Sequence, residues 1–197
     1  MTETARLCLT TPERFEPESL ALVLARLLDT GLVASVRIAL AEADEAAWIH
    51  AANHLMPVAH GADVPCLVTD RPELVGRLGL DGVHLAARTS SLGALRKSLG
   101  REAILGAEAG TSRHLAMSLA EAGADYVAVG PAGAEAADLL AWWSEMIETP
   151  SLVEGGLSPE AAAPLAAMAD FVAPDLALWK AEDPAAHLAL YAAALGD

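Results

Sequence analysis

Basic residues are scarce: 12 Lys plus Arg stand against 27 Asp plus Glu, giving a formal charge of −15, and Lys97 and Lys180 are the only lysines. Nucleic acid and anionic membrane surfaces need a basic stripe that this chain lacks, so both are excluded as partners. Cysteine is limited to Cys8 and Cys66. Neither has metal-ligand spacing, which points to a reducing, cytoplasmic setting. Aromatic residues make up only 4% of a chain that is 54% hydrophobic, so the core must be built from Ala, Leu and Val. No apolar run approaches the ~20 residues of a membrane helix. The Met-Thr-Glu-Thr start lacks the basic-then-apolar opening of a signal peptide. High apolar content excludes disorder.

The acidity is uneven. Residues 1–100 hold 9 basic and 12 acidic groups, whereas residues 101–197 hold 3 and 15. Along the chain, short β-branched or apolar runs alternate with Ala- and Leu-rich stretches of helical periodicity. The runs are Arg6–Thr10, Leu32–Leu40, Pro65–Thr69, Gly82–Ala86, Ala103–Glu108, Asp125–Gly130, Ser151–Glu154 and Asp170–Ala173. Pro17, Pro72 and Pro159 suit first helical turns, where a missing N–H costs nothing, and Ser158 and Asp183 suit caps. Pro57 should kink or end a helix within Ala46–Ala62. The units share no clear sequence identity, so no solenoid is expected.

Eight βα units in 197 residues predict an α/β chain folded as one (β/α)₈ TIM barrel over residues 1–197. An open doubly wound sheet would need a Gly-rich first turn, and Thr11-Pro12-Glu13 supplies none. Function in a barrel sits at the C-terminal mouth, and alternation selects the inward side chains. Ser35 and Arg37 face the interior, and Asp70, His84, Glu108, Glu154 and Asp175 point toward the mouth.

The stretches Val68–Leu85, Gly123–Pro131 and Pro150–Leu157 resemble the thiamine phosphate synthase and thiazole tautomerase family, over about residues 30–180. The resemblance implies a barrel that joins a pyrimidine pyrophosphate to a thiazole phosphate with Mg²⁺, or isomerises the thiazole. Where the family's second strand reads Q-x-R-x-K, this chain has Ser35-Val36-Arg37-Ile38-Ala39, which keeps the Arg. Thr69-Asp70-Arg71 keeps the Asp implied as a Mg²⁺ ligand. Gly82-Val83-His84-Leu85-Ala86-Ala87-Arg88-Thr89 keeps the framework but has Thr89 in place of the second metal carboxylate. Gly106-Ala107-Glu108-Ala109-Gly110 lacks the family's Ser and His, and Glu135-Ala136-Ala137-Asp138 stands where a T-x-T-K grips phosphate. Gly155-Gly156 is kept, and Asp175 replaces a Ser.

A carboxylate ~4 Å from a phosphate charge costs about 4 kcal/mol at an effective dielectric near 20, so Glu154 and Asp175 are expected to oppose phosphate. The resulting expectation is a diverged barrel without the usual synthase activity. It would bind a small cationic or metal-bound ligand through Arg37, Asp70, His84, Glu108, Glu154, Gly155, Gly156 and Asp175. One alternative is an active Mg-dependent synthase of thiamine biosynthesis, a transferase; another is a non-catalytic interaction protein. No residue is assigned as catalytic, and Mg²⁺ on Asp70 is the one cofactor implied.

Local roles compete with these. Asp70 can cap the helix starting at Arg71-Pro72, His84 can be a hydrogen-bonded core residue, Arg37 can pair with Asp70 or Glu108, and Gly155-Gly156 can serve barrel closure. His50 and His54 stand one helical turn apart, with no acidic ligand expected on their face. Tandem Trp142-Trp143 suits core or subunit-interface packing, which leaves a homodimer open.

Overall fold

The computed structural model describes residues 5–41, 43–86 and 92–196; the Met-Thr-Glu-Thr start and Thr89 lie outside the described residues. Strands β1 (Arg6–Thr10), β2 (Val33–Ile38), β3 (Cys66–Thr69), β4 (Gly82–Leu85), β5 (Ile104–Gly110), β6 (Tyr126–Val129), β7 (Ser151–Leu157) and β8 (Phe171–Pro174) follow the predicted runs. They are joined by α1 (Pro17–Leu28), α2 (Glu45–Gly61), α3 (Pro72–Leu78), α4 (Leu92–Leu99), α5 (Arg113–Glu121), α6 (Ala134–Met146) and α7 (Pro159–Ala166). A 3-10 turn, Leu176–Lys180, leads into α8 (Pro184–Leu195). All strand pairs are parallel and in chain order, and β1 pairs with both β2 and β8. The architecture is therefore the expected (β/α)₈ barrel. Among the described residues no helix is long and apolar enough to cross a membrane.

Strand alternation sorts side chains into two shells. Leu7, Leu9, Val36, Ile38, Val83, Leu105, Val127, Val153 and Val172 point outward and are buried under the helices, each worth roughly 1.5–3 kcal/mol. The interior is narrow, as eight strands require, and is filled at one level by Ala128, Leu152 and Ala173 beside Cys8, Tyr126 and Phe171. Gly106 is bare because a Cβ there would overlap the Tyr126 ring. Burial pushes the Cys8 thiol up to about 11 and that of Cys66 to about 12, so both are held as thiols.

Part of the acidity belongs to the barrel floor. Asp81, Asp125 and Asp170 each stand just before an even-numbered strand and accept the N–H of the neighbouring odd strand, from Cys66, Leu105 and Ser151, all at 2.7 Å. Each carboxylate satisfies a strand-end donor that would otherwise be orphaned. The three segments read Asp81-Gly82-Val83, Asp125-Tyr126-Val127 and Asp170-Phe171-Val172. This is a recurring Asp-x-Val signal that a search for identity across all eight units passes over. Arg96 reinforces the middle one, with Nη2 donating to Asp125 Oδ2 at 2.5 Å and Nη1 to the Ala103 carbonyl at 2.7 Å.

Pro17, Pro72 and Pro159 open α1, α3 and α7, and Ser158 and Asp183 cap α7 and α8. Pro57 departs from expectation: α2 continues through it to Gly61. Pro57 and Asn53, whose carbonyl loses its donor, are both exposed, so water replaces the missing helical bond. Trp143 is buried, its Nε1 donating to the Thr149 carbonyl at 2.7 Å. Trp142 is half-buried with the Arg113 guanidinium 5.1 Å from its ring centre.

Candidate active site

The C-terminal ends of the strands surround a cavity of about 730 Å³. Thr10, Arg37, Thr69, His84, Glu108, Gly130 and Glu154 line it from β1 through β7 or their immediate ends, and Asp175 lines it just after β8. Each strand or its immediate end thus delivers at least one residue to the mouth, inward side chains being selected by period-two alternation. Arg37, His84, Glu108, Glu154, Gly155, Gly156 and Asp175 all line this cavity, whereas Asp70, expected at the mouth with them, is not among its lining residues. Ser35 faces the interior too, but lines a smaller cavity of about 130 Å³ at the barrel floor with Cys8 and Tyr126.

A polar chain crosses the barrel beneath the mouth. Arg37 Nη2 donates to Glu154 Oε2 at 2.5 Å and Nε to Thr10 Oγ1 at 3.1 Å. Arg37 Nη1 is buried without a hydrogen-bond partner. Burial opposes the Arg37 charge, but the facing Glu154 carboxylate prevails and raises its pKa. His84 Nε2 lies 3.7 Å from Glu154 Oε1, and Nδ1 lies 2.8 Å from the Tyr126 hydroxyl. Burial, and then the Arg37 charge, hold the His84 pKa well below its ordinary value, so the ring is neutral. Burial raises the Tyr126 pKa, so the phenol keeps its proton and shares one hydrogen bond with His84 Nδ1. Tyr126 is a site residue missed by sequence reasoning, although its inward register with Ala128 was readable.

Several local expectations are corrected. Arg37 pairs with neither Asp70 nor Glu108, because the narrow interior lets it reach Glu154 on the far wall. Asp70 does not cap α3: the N-cap is Arg71, with no side-chain cap bond. Asp70 instead adopts a left-handed backbone, φ 52°, and its Oδ1 accepts the Ala86 N–H at 3.0 Å. It thereby ties the end of β3 to the end of β4. Asp175 turns into the wall, where Oδ1 accepts the Ala177 N–H at 2.5 Å and caps the 3-10 turn. Thr11 was also overlooked; its buried hydroxyl donates to the Ala39 carbonyl and accepts the Ala39 N–H, joining the first two loops.

Glu108 is half-buried. Burial raises its pKa, helped by the charges of Glu154 and Asp70 and opposed by Arg37. On the other side of the mouth the end of β7 touches the loop after β6: Gly155, at φ 104°, sits where a Cβ would lie 2.8 Å from Pro131 Cα. Gly156 is also left-handed, φ 75°. The α6 N-cap, Gly133, provides no side-chain acceptor, so N–H groups at that helix start have no side-chain cap. Glu135, in the first turn of α6, accepts from the Thr111 hydroxyl at 3.0 Å.

The family model described as Thiamine monophosphate synthase matches residues 7–174. The chain is 39% identical to a Thiamine-phosphate synthase of Rhodospirillum centenum, covering 98% of this chain and 95% of that one. It is 37% identical to a Thiamine-phosphate synthase of Erythrobacter litoralis, covering 79% of each. The structure of a thiamine phosphate pyrophosphorylase from Pyrococcus furiosus shares the fold, with a TM-score of 0.83 at 20% identity over 96% of this chain and 95% of that one. These near-full-length relatives overturn the expectation of a cation-binding barrel without synthase activity. The charge argument behind that expectation is also weakened, since Arg37 offsets much of the Glu154 charge.

Proposed function

Because this chain belongs to the thiamine monophosphate synthase family, we propose that it is a working thiamine-phosphate synthase, joining a pyrimidine pyrophosphate to a thiazole phosphate with release of pyrophosphate. The observation that carries this reading is the 39% identity with a synthase over almost the entire length of both chains. We further read residues 1–197 as one barrel domain acting on small molecules in the cytoplasm, with no nucleic-acid or membrane ligand.

Geometry supports a division of labour in the mouth. Gly155 and Gly156 have no side chains to obstruct a phosphate, and the adjoining α6 start has no side-chain cap. Backbone N–H groups at such a place suit the thiazole phosphate. Among the described residues, Arg37 is the only Arg or Lys that lines the cavity. Its orphaned Nη1 suits the pyrophosphate of the other substrate, which would satisfy a buried donor. Neutral His84, fixed by Tyr126, can hold a polar substrate atom or shape the floor without adding charge.

Mg²⁺, implied by the family, suits the hard oxygen donors present. Burial and the charges of Glu154 and Asp70 raise the Glu108 pKa against the opposing Arg37, and a divalent ion between Asp70 and Glu108 would relieve their share of that repulsion. These two residues would hold it, and Thr89, at the position of the family's second carboxylate, lies outside the described residues. When bound, Mg²⁺ supplies the positive charge that makes pyrophosphate a better leaving group.

Incubating the purified chain with both substrates and Mg²⁺ tests the proposal. Formation of thiamine phosphate with stoichiometric pyrophosphate supports it; no product above the uncatalysed background overturns it.

A further inference from the structure

Outside the barrel mouth, Glu18 on α1 and His50 and His54 on α2 bring one ligand atom each to within 4.8 Å of one another. The histidines were legible in sequence as an i, i+4 pair. Their acidic partner was not, because it comes from the neighbouring helix, which corrects the expectation that no acid shares their face. His50 and Glu18 are about half exposed and His54 a third, so an ion can enter from solvent.

Hydrogen bonding fixes the orientation of one ligand. His54 Nδ1 lies 2.9 Å from the His50 carbonyl. A carbonyl only accepts, so Nδ1 carries the proton and the neutral ring presents a lone pair at Nε2. That Nε2 stands 3.3 Å from Glu18 Oε1, and His50 Nε2 stands 3.4 Å from the same oxygen. Between His54 Nε2 and the carboxylate, lone pair faces lone pair unless a positive centre separates them. Two protons, one on each ring, would serve the two pairs as separate His–Glu contacts, whereas a single metal ion serves both nitrogens and the carboxylate at once. Two ligands bound at ~2.0–2.1 Å with a tetrahedral angle lie about 3.3–3.4 Å apart, which matches both nitrogen–oxygen separations. Glu16, which caps α1 through the Ser19 N–H, adds negative charge near both rings.

We propose that Glu18, His50 and His54 form a transition-metal site on the α1–α2 seam, taking Zn²⁺ or a similar borderline ion with water in the remaining position. The set of two imidazoles and one carboxylate matches a known zinc donor combination, and the bond from the Nδ1–H to a carbonyl is the usual device that orients a ligating imidazole. None of the three residues lines the barrel mouth, so the ion would clamp two outer helices rather than act on substrate. Glu18→Gln, His50→Gln and His54→Gln can each be made in the full chain.

Calorimetric titration of metal-free protein with Zn²⁺ is the test, with Mg²⁺ as the hard-ion control. The expected result is one Zn²⁺ per chain at micromolar affinity or tighter, a higher melting temperature with Zn²⁺, and at least ten-fold weaker binding in His50→Gln and in His54→Gln. Unchanged Zn²⁺ affinity in both histidine variants, absence of one-to-one binding, or displacement of Zn²⁺ by equimolar Mg²⁺ would each overturn the assignment. His50→Gln alone keeps the test decisive if His54→Gln unfolds, since His50 is half exposed.

Discussion

Arg37 on β2 and Glu154 on β7 meet across the barrel, Nη2 to Oε2 at 2.5 Å, although their strands are not neighbours. The contact lessens the repulsion that Glu154, beside Gly155 and Gly156 on β7, would exert on a phosphate, because Arg37 offsets its charge. It also sets the orientation of the only Arg or Lys that lines the mouth among the described residues.

Breaking that pair should cost more than its net worth. The two side chains are only 13% and 16% exposed, so Arg37→Met leaves a largely desolvated carboxylate and should destabilise the chain by about 3 kcal/mol. Arg37→Met with Glu154→Leu should be at least about 1 kcal/mol more stable than Arg37→Met alone, because the uncompensated charge is gone. Urea denaturation of both variants measures the difference, and both should lose the proposed synthase activity.

His84 gives a pH dependence of defined sign. Its folded pKa is held well below the ordinary value by burial and by Arg37, whereas in the unfolded chain it titrates near 6.5. Below that value the unfolded state takes up a proton that the native state refuses, so stability is fully present above pH 6.5 and declines as the solution is acidified. His84→Asn should be less stable than wild type at pH 7.5, with the gap narrowing toward pH 5. A gap that stays constant across this range would contradict the burial of a neutral ring.

Glu108 has the opposite sense. Its folded pKa is raised by burial and by Glu154, so the native state holds its proton longer, and the stability it offers at low pH is lost as pH rises through that raised value. Glu108→Gln should therefore equal or exceed wild type in stability at pH 7 and lose this advantage near pH 4. Thermal melts at the two pH values decide it.

The legible and illegible parts of this protein divide along physical lines. Strand positions and the inward side chains Arg37, His84, Glu108 and Glu154 follow from a period of two, a local property of the chain. Which inward residue meets which depends on barrel width and strand tilt, so an Arg and a Glu 117 residues apart in sequence carried no local mark of their pairing. Asp70 and Asp175 were readable as strand-end acids, but their backbone partners, Ala86 and Ala177, are set by loop geometry. A charge count alone therefore overstated the repulsion in the mouth.

Metal dependence of the proposed reaction should run through Asp70. Asp70→Asn keeps an oxygen to accept the Ala86 N–H but removes the charge, so the fold should survive while the Mg²⁺ concentration giving half-maximal activity rises at least ten-fold. Chelation of Mg²⁺ should abolish wild-type turnover. Unchanged Mg²⁺ dependence in Asp70→Asn would remove this residue from the metal site.

Gly106 links the barrel's packing to its polar chain, and its substitution tests both. A Cβ at Gly106 would overlap the Tyr126 ring, so Gly106→Ala must displace a phenol whose hydroxyl lies 2.8 Å from His84 Nδ1. Overpacking costs about 1–3 kcal/mol, and a buried His84 nitrogen left without its hydrogen-bond partner costs about 1–3 kcal/mol more. Gly106→Ala should thus lose roughly 2–6 kcal/mol of stability. Tyr126→Phe removes that partner without the clash and should lose only the second part. Adding Tyr126→Leu to Gly106→Ala should recover some of the loss, since a shorter side chain clears the new methyl. If Gly106→Ala unfolds in urea at the wild-type midpoint, the ring does not approach β5 as closely as the structure places it, and Tyr126 cannot be what holds His84 in place.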